Sequence, residues 1–181
     1  AGLAATFFPA FGYFPALGGD VFSPQPFQKL FAQPGLWGSV FLSIKVALIS
    51  TSVSLAIAAL LFAGWHSTRS FRALQSFISP LLSIPHAAAA FGVAFLIAPS
   101  GWLMRLASPG MTGFTRPPDY LFPGDPGGWA LILGLVVKEV PFLVLIALAA
   151  WPQLRAPQKL QVASGLGYGR IAGFFLAVWP Q

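Results

Sequence analysis

Residues 129–151 read WALILGLVVKEVPFLVLIALAAW, and this stretch decides the fold class of the chain. An apolar run of about 18 residues or more predicts a helix that crosses a membrane. A tryptophan stands at each end of the run, where transmembrane helices often place aromatic anchors at the membrane surface. The stretch therefore predicts a transmembrane helix, with the adjacent charged residues Lys138 and Glu139 near its middle.

The rest of the chain has the same apolar character. Of its 181 residues, 56% are hydrophobic and only 8% are charged, against ~25% charged residues in an average soluble domain. Apolar runs at about 1–18, 38–64, 74–98 and 171–181 predict further spans, the last of them incomplete. We therefore expect an all-α fold, a polytopic transmembrane helical bundle. Because the chain starts and stops inside apolar runs, we expect a fragment of one transmembrane domain.

The segments between the spans differ in how many basic residues they carry. Segments 65–73 and 152–170 carry Arg69, Arg72, Arg155, Lys159 and Arg170. The longer segments 19–37 and 99–128 carry only Lys29, Arg105 and Arg116. By the positive-inside rule the first two segments are cytoplasmic, and their alternation along the chain agrees with this. The net charge of +6 therefore indicates the topology of a multi-pass membrane protein, and no nucleic-acid partner is expected.

Segment 152–170 predicts a short amphipathic helix on the cytoplasmic side, because Pro157 suits the first turn of a helix. At 3.6 residues per turn, one half of this helix carries Leu160, Val162, Ala163, Leu166 and Gly167. The other half carries Gln158, Gln161 and Ser164. A surface of small residues suits close docking into a cleft of a partner protein. A second interpretation stays open, since Gly165, Gly169 and Gly173 are spaced as in GxxxG helix-packing motifs.

The same residues resemble the cytoplasmic loop of binding-protein-dependent ABC importer permeases. The loop of that family reads E-A-A-x-x-x-G and, after nine further residues, I-x-L-P. The matching positions here are Gln161, Val162, Ala163, Gly167, Ala177, Trp179 and Pro180. The spacing matches throughout, whereas the residue identities match at Ala163, Gly167 and Pro180. Gln161 stands where the family has glutamate, so the acidic charge is missing at this position.

The resemblance extends from about residue 37 to 181 and is nearest to permeases of the iron, thiamine and polyamine type. It implies a type I importer permease whose segment 152–170 is a coupling loop that docks on a separate ABC ATPase subunit. It also implies an extracytoplasmic substrate-binding protein, a second permease half and a bacterial cytoplasmic membrane. The chain lacks the phosphate-binding motif G-x-x-x-x-G-K-[ST], so we expect no enzymatic activity and no cofactor, with ATP hydrolysed by the partner.

Three polar residues within spans are candidates for a transport pathway, namely Lys138, Glu139 and His86. A charge inside a membrane is costly, and its default interpretation is functional. A structural role is open for Lys138, because Pro141 frees a backbone carbonyl nearby, and for His86, which follows Pro85 at an expected kink. The alternative function is a secondary transporter or channel that uses Lys138 and Glu139, since such folds often contain broken helices at the membrane midplane.

Overall fold

The computed structural model describes residues 2–66, 68–119 and 122–181. Over these residues the structure is 68% helical and contains no strand, which confirms the predicted all-α class. The α-helices are α1 (Gly2–Ala10), α2 (Gln25–Phe31), α3 (Leu36–Trp65), α4 (Arg69–Ser83), α5 (His86–Ile97), α6 (Trp102–Ala107), α7 (Trp129–Ala150), α8 (Ala156–Gly165) and α9 (Arg170–Gly173). A 3₁₀ turn lies at Pro15–Leu17, and a π-helical turn lies at Phe174–Val178.

Three stretches of the described residues are long and apolar enough to cross a membrane: Leu36–Trp65, Ala88–Ala107 and Trp129–Ala150. At 1.5 Å per residue, α3 is about 45 Å long and α7 about 33 Å long, against a hydrocarbon core of about 30 Å. These two helices lie close to the predicted spans 38–64 and 129–151. The three candidate spans agree with the membrane character predicted from composition.

The predicted third span, 74–98, is divided between two helices in the structure. α4 and α5 are separated because Ile84 is extended (φ −70°, ψ 126°) and Pro85 has no N–H to continue the helix. The other proline of this predicted span, Pro80, lies inside α4. The candidate span in this region is therefore displaced to Ala88–Ala107, which takes in α5, a turn and α6.

The polar loop predicted at 65–73 is shorter in the structure because α4 starts within it. The hydroxyl oxygen of Thr68 accepts a hydrogen bond from the backbone N–H of Phe71 at 3.2 Å, which caps the helix. α4 is amphipathic, since the side chains of Phe71 and Ile78 are buried whereas that of Arg72 is exposed. Burial of this apolar face against the core favours helix over loop from Arg69 onward.

The chain divides into two compact units, Ala1–Ile44 and Lys45–Gln181. In the first unit, Tyr13 stacks on Phe22 with ring centroids 4.7 Å apart, and Phe8 contacts Phe22 edge-on at 5.5 Å. The helix within the predicted first span, α1, has nine residues and is about 14 Å long, which is too short to cross a membrane on its own.

The second unit has its core where α3 and α7 end. The ring of Phe62 lies 5.2 Å from the ring of Phe71 and 5.2 Å from that of Trp151, measured between centroids. Phe174 stacks on Trp151 at 6.3 Å, and Val144 is buried in the same cluster. This core packs α3, α4 and α7 against the turn at Phe174–Val178. The end of α7 and this turn are therefore held in place, and α8 lies between them in the chain.

Candidate functional site

The start of α8 is set by a sharp backbone turn at Arg155. This residue has a φ of 49°, in the left-handed region that residues other than glycine rarely adopt. Ala156, the first residue of α8, is fully buried, and Pro157 follows it in the first turn. The helix therefore leaves the end of α7 in a fixed direction and begins where the sequence predicted a helix start.

The end of α8 is a Schellman motif, which explains Gly167. The backbone N–H of Tyr168 donates to the carbonyl of Ala163 at 3.0 Å, and the N–H of Gly167 donates to that of Ser164 at 3.0 Å. The motif requires a left-handed residue between helix and exit, and Gly167 has a φ of 86°. Open space surrounds this glycine, with no atom within 4 Å of where a Cβ would stand. Gly167 thus terminates the helix.

The inner face of α8 packs against the rest of the second unit. Ala163 is 5% exposed, and a Cβ added to Gly173 would lie 3.2 Å from the Cβ of Ala163. Of the three glycines with GxxxG spacing, Gly173 makes this close approach, whereas Gly165 and Gly169 face open space. The side chain of Ala163 therefore packs against Gly173 of the same chain and has little free surface, and its role in docking stays a prediction.

The outer face of α8 is polar and uncovered. Gln158, Gln161 and Gly165 are exposed, and at 100° per residue they lie opposite the buried Ala156 and Ala163. We call these three residues the outer face. The predicted apolar half of the helix is therefore divided between two surfaces. Leu160 is partly buried toward the core, while Val162 and Leu166 remain 65% and 72% exposed on one flank.

One hydrogen bond links the segment after α8 to the end of α3, and a second polar contact lies within the end of α3 itself. The guanidinium of Arg170 donates to the backbone carbonyl of Gly64 at 2.9 Å. Nδ1 of His66 lies 2.6 Å from the carbonyl oxygen of Phe62, and the His66 ring packs on Trp151 at 4.8 Å. The carbonyls at a helix C-terminus lack helical partners and carry partial negative charge, so a cation there is stabilising. Arg170, counted from sequence only as a topology signal, therefore also fixes the exit from α8.

The other positions that match the loop pattern of the resembled family are Ala177, Trp179 and Pro180, which lie in or next to the π-helical turn. The N–H of Trp179 donates to the carbonyl of Phe174 at 3.0 Å, a bond that spans five residues instead of four. Ala177 is partly buried, and Pro180 is exposed beyond the turn. Ala177 lines one groove with Val162 and Ala163, so the structure brings this matching position close to α8.

Lys138 is held at the break between α4 and α5. Its side chain is 5% exposed, and its ammonium group donates to the carbonyl oxygen of Ile84 at 2.8 Å. The expected acceptor was a carbonyl freed by Pro141, on the same helix. Ile84 offers an acceptor because the chain is extended there and the end of α4 is nearby. The sequence gives no direct signal for this pairing, since the two residues are 54 positions apart.

The neighbouring candidates differ from Lys138. Glu139 is only partly buried, and adjacent positions on a helix point about 100° apart. Lys138 also lines an apolar cavity of about 460 Å³ between α5 and α7, together with Ala90, Ala94, Gly134 and Leu135. The backbone of His86 starts α5, but its side chain lies outside the described part of the structure. The pathway role of these residues stays a prediction.

At the other end of α7, a carboxylate caps the helix. The two carboxylate oxygens of Asp125 accept hydrogen bonds from the N–H groups of Trp129, at 2.6 Å, and Ala130, at 2.9 Å. The bond from Ala130 is the main cause that lowers the pKa of Asp125, and the charge of Lys45 adds to it. Lys45 itself donates to the carbonyl of Gly127 at 2.6 Å, so it lies toward this end of the helix as expected for a snorkelling lysine.

Comparison with known proteins leaves the family of the chain open. No protein-family model, no curated protein and no solved structure matches the chain. What is established for the described residues is an all-helical structure with three candidate membrane spans and a short helix, fixed at both ends, between α7 and α9.

Proposed function

We propose that this chain is a transmembrane permease subunit of an ATP-driven ABC importer, and that α8 is the helix through which a separate ATPase subunit drives it. The observation that carries the proposal is α8 itself. It is a short helix between two apolar segments, with both ends fixed by backbone geometry and an outer face left uncovered. A partner that pushes on this face would act on α7 and α9, because connections of only five and four residues join these helices to α8.

The outer face fits a close-docking partner for a second reason. Gly165 has no side chain, and Gln158 and Gln161 can donate and accept hydrogen bonds. Buried charges in an interface are costly unless they are paired, whereas neutral amides need only hydrogen-bond partners. We therefore place the docking contact on these three residues. Gln161→Glu adds a charge to this contact, but the resemblance implies a partner surface that pairs with a glutamate at this position, so we expect a mild effect.

The test uses Gly165, because Gly167 is unsuitable. Any side chain at Gly167 strains the end of α8, so loss of function there would not report on docking. Gly165 is helical, is exposed and has open space at its Cβ position, so Gly165→Trp places a large side chain where we expect it to obstruct a partner. The matched control is Gly110→Trp, at another glycine with no atom near its Cβ position, in the segment predicted on the opposite side of the membrane.

The experiment is purification of tagged full-length chain from its own host's membranes, followed by assay of ATP hydrolysis in the purified material. We expect hydrolysis to accompany the wild type and Gly110→Trp and to be lost with Gly165→Trp. Absence of hydrolysis from the wild-type material would contradict the importer proposal. Retention in Gly165→Trp would show that α8 is not the docking element.

The alternative, a secondary transporter or channel, depends on Lys138 and Glu139. Burial of Lys138 beside the cavity between α5 and α7 supports it, although the ammonium already binds the Ile84 carbonyl. Under this alternative, solute flux into vesicles that contain only this protein should proceed without ATP and should fall in Lys138→Met. Flux that requires an ATPase, with Lys138→Met affecting stability alone, would favour the permease.

A further inference from the structure

One flank of α8 forms a groove with the segment that follows, and Gln158 of the outer face also lines it. The groove has a volume of about 510 Å³, within the range of about 300–1,000 Å³ typical of ligand sites. Its walls come from α8 and from the turn at Phe174–Val178, and it is lined by Arg155, Lys159, Val162, Leu166, Tyr168 and Leu176, among others.

The groove is apolar over most of its length and basic where α8 begins. Val162, Leu166 and Leu176 are each more than 60% exposed, so the groove presents aliphatic surface that the chain itself does not cover. Arg155 and Lys159 lie on the first turn of the same flank. The chain has no acidic residue after Glu139, so none is available in this segment to neutralise the two cations.

We propose that this groove binds one anionic phospholipid, with its phosphate at Arg155 and Lys159 and an acyl chain along Val162, Leu166 and Leu176. The two cations complement the negative phosphate, and the aliphatic side chains complement the acyl chain. Leu176 lies in an apolar segment predicted to enter the membrane, whereas α8 is predicted on the cytoplasmic side. Basic pockets beside transmembrane helices at the cytoplasmic surface are typical binding places for anionic headgroups.

Tyr168 suits the same occupant. It is 49% exposed where the groove passes from α8 to the following segment, and a tyrosine at the membrane interface keeps its ring in apolar surroundings and its hydroxyl in a polar layer. Of the three outer-face residues, Gln158 also lines this groove, whereas Gln161 and Gly165 do not. Substitution of Gly165 therefore tests the outer face, and substitution of Arg155 and Lys159 tests the groove.

The experiment needs only the purified chain and lipids of stated composition. The protein is reconstituted in bilayers of phosphatidylcholine with a minor fraction of phosphatidylglycerol and extracted in mild detergent, and the retained lipid is quantified by native mass spectrometry. We expect phosphatidylglycerol to be retained in excess of its share. The excess should fall about fivefold when either cation is neutralised, and about thirtyfold in Arg155→Gln/Lys159→Gln.

Matched variants separate the groove from general charge. Arg116→Gln removes one exposed basic charge elsewhere and should leave the excess unchanged. Arg155→Lys/Lys159→Arg keeps both charges and should retain the lipid, which also controls for folding. Leu166→Gln keeps the charge and shortens the apolar contact, so it should weaken retention. Millimolar inorganic phosphate should not displace the lipid, because it lacks the acyl chain.

Three results would overturn the proposal. Equal loss of phosphatidylglycerol in Arg116→Gln would mean that net charge, and not this groove, retains the lipid. Full retention in Arg155→Gln/Lys159→Gln would exclude the groove as the site. If that variant retained the lipid but lost co-purifying ATP hydrolysis, the flank would bind protein instead. The outcome for Gly165→Trp is independent of all three.

Discussion

Substitution of glycine by alanine should stabilise α8 at Gly165 and destabilise its end at Gly167. Gly165 is helical, so Gly165→Ala removes flexibility from the unfolded chain and stabilises the helix by about 0.5–1 kcal/mol. Gly167 has a φ of 86°, where an alanine Cβ costs about 1–2 kcal/mol. Part of that cost is offset by the less flexible unfolded chain, so Gly167→Ala should destabilise the end of α8 by about 1 kcal/mol.

Neither substitution creates a steric clash, because both glycines face open space. The difference between them is therefore a property of the backbone alone. Gly167→Asn supplies the decisive comparison, since asparagine tolerates the left-handed region better than alanine, so it should lie between the wild type and Gly167→Ala. Gly167→Val should be worse than alanine, because a β-branched residue is a genuine outlier at positive φ.

Hydrogen exchange of the backbone amides measures these changes locally. The N–H of Tyr168, bonded to the carbonyl of Ala163, reports on opening of the Schellman motif. One kcal/mol is about a fivefold change in the opening constant. Exchange at Tyr168 should be about fivefold faster in Gly167→Ala and about two- to fivefold slower in Gly165→Ala. The backbone explanation is refuted if both variants shift in the same direction, or if Gly167→Asn exchanges as fast as Gly167→Ala.

Three further results are expected. Gly173→Leu should destabilise the packing of α8 by about 1–3 kcal/mol, seen as faster exchange throughout the helix, because a Cβ there already meets Ala163 at 3.2 Å; unchanged exchange would contradict the packing. Arg170→Gln should lower the thermal midpoint in detergent through loss of about 1 kcal/mol of hydrogen bonding to Gly64, whereas Arg69→Gln, an exposed control, should not. Folding lowers the pKa of Asp125 below its unfolded value near 4. The carboxylate of Asp125 therefore stabilises the folded state above the unfolded pKa, and this stabilisation is lost as the pH falls through the folded pKa. Asp125→Asn should remove this acid dependence of the thermal midpoint, and an unaltered pH profile would exclude the cap as its cause.

The sequence was sufficient for features that depend on local patterns. Apolar length alone predicted the helices Leu36–Trp65 and Trp129–Ala150, and Pro157 predicted the start of α8. Features that depend on distant partners were missed. Ala163 is a small residue, as expected of a docking surface, but it packs against Gly173. The sequence alone does not predict this contact.

The break at Ile84 and Pro85 illustrates an intermediate case. The predicted span 74–98 contains two prolines, Pro80 and Pro85, and the presence of a proline does not by itself show which of them ends a helix. Pro80 is tolerated inside α4, and the chain becomes extended just before Pro85. The break leaves the carbonyl of Ile84 as an acceptor for Lys138 of α7. The sequence predicts that this lysine needs a carbonyl, but it does not show which carbonyl accepts the hydrogen bond.

The bond from Arg170 to Gly64 has a consequence for the order of assembly. It joins residues 106 positions apart, so the exit from α8 is fixed only after the last described segment has met α3. During synthesis α3 and α7 are complete before Arg170 exists. The helix α8 therefore reaches its final orientation only after the chain has been synthesised past Arg170. A chain truncated before Arg170 should insert and yet show rapid amide exchange along α8.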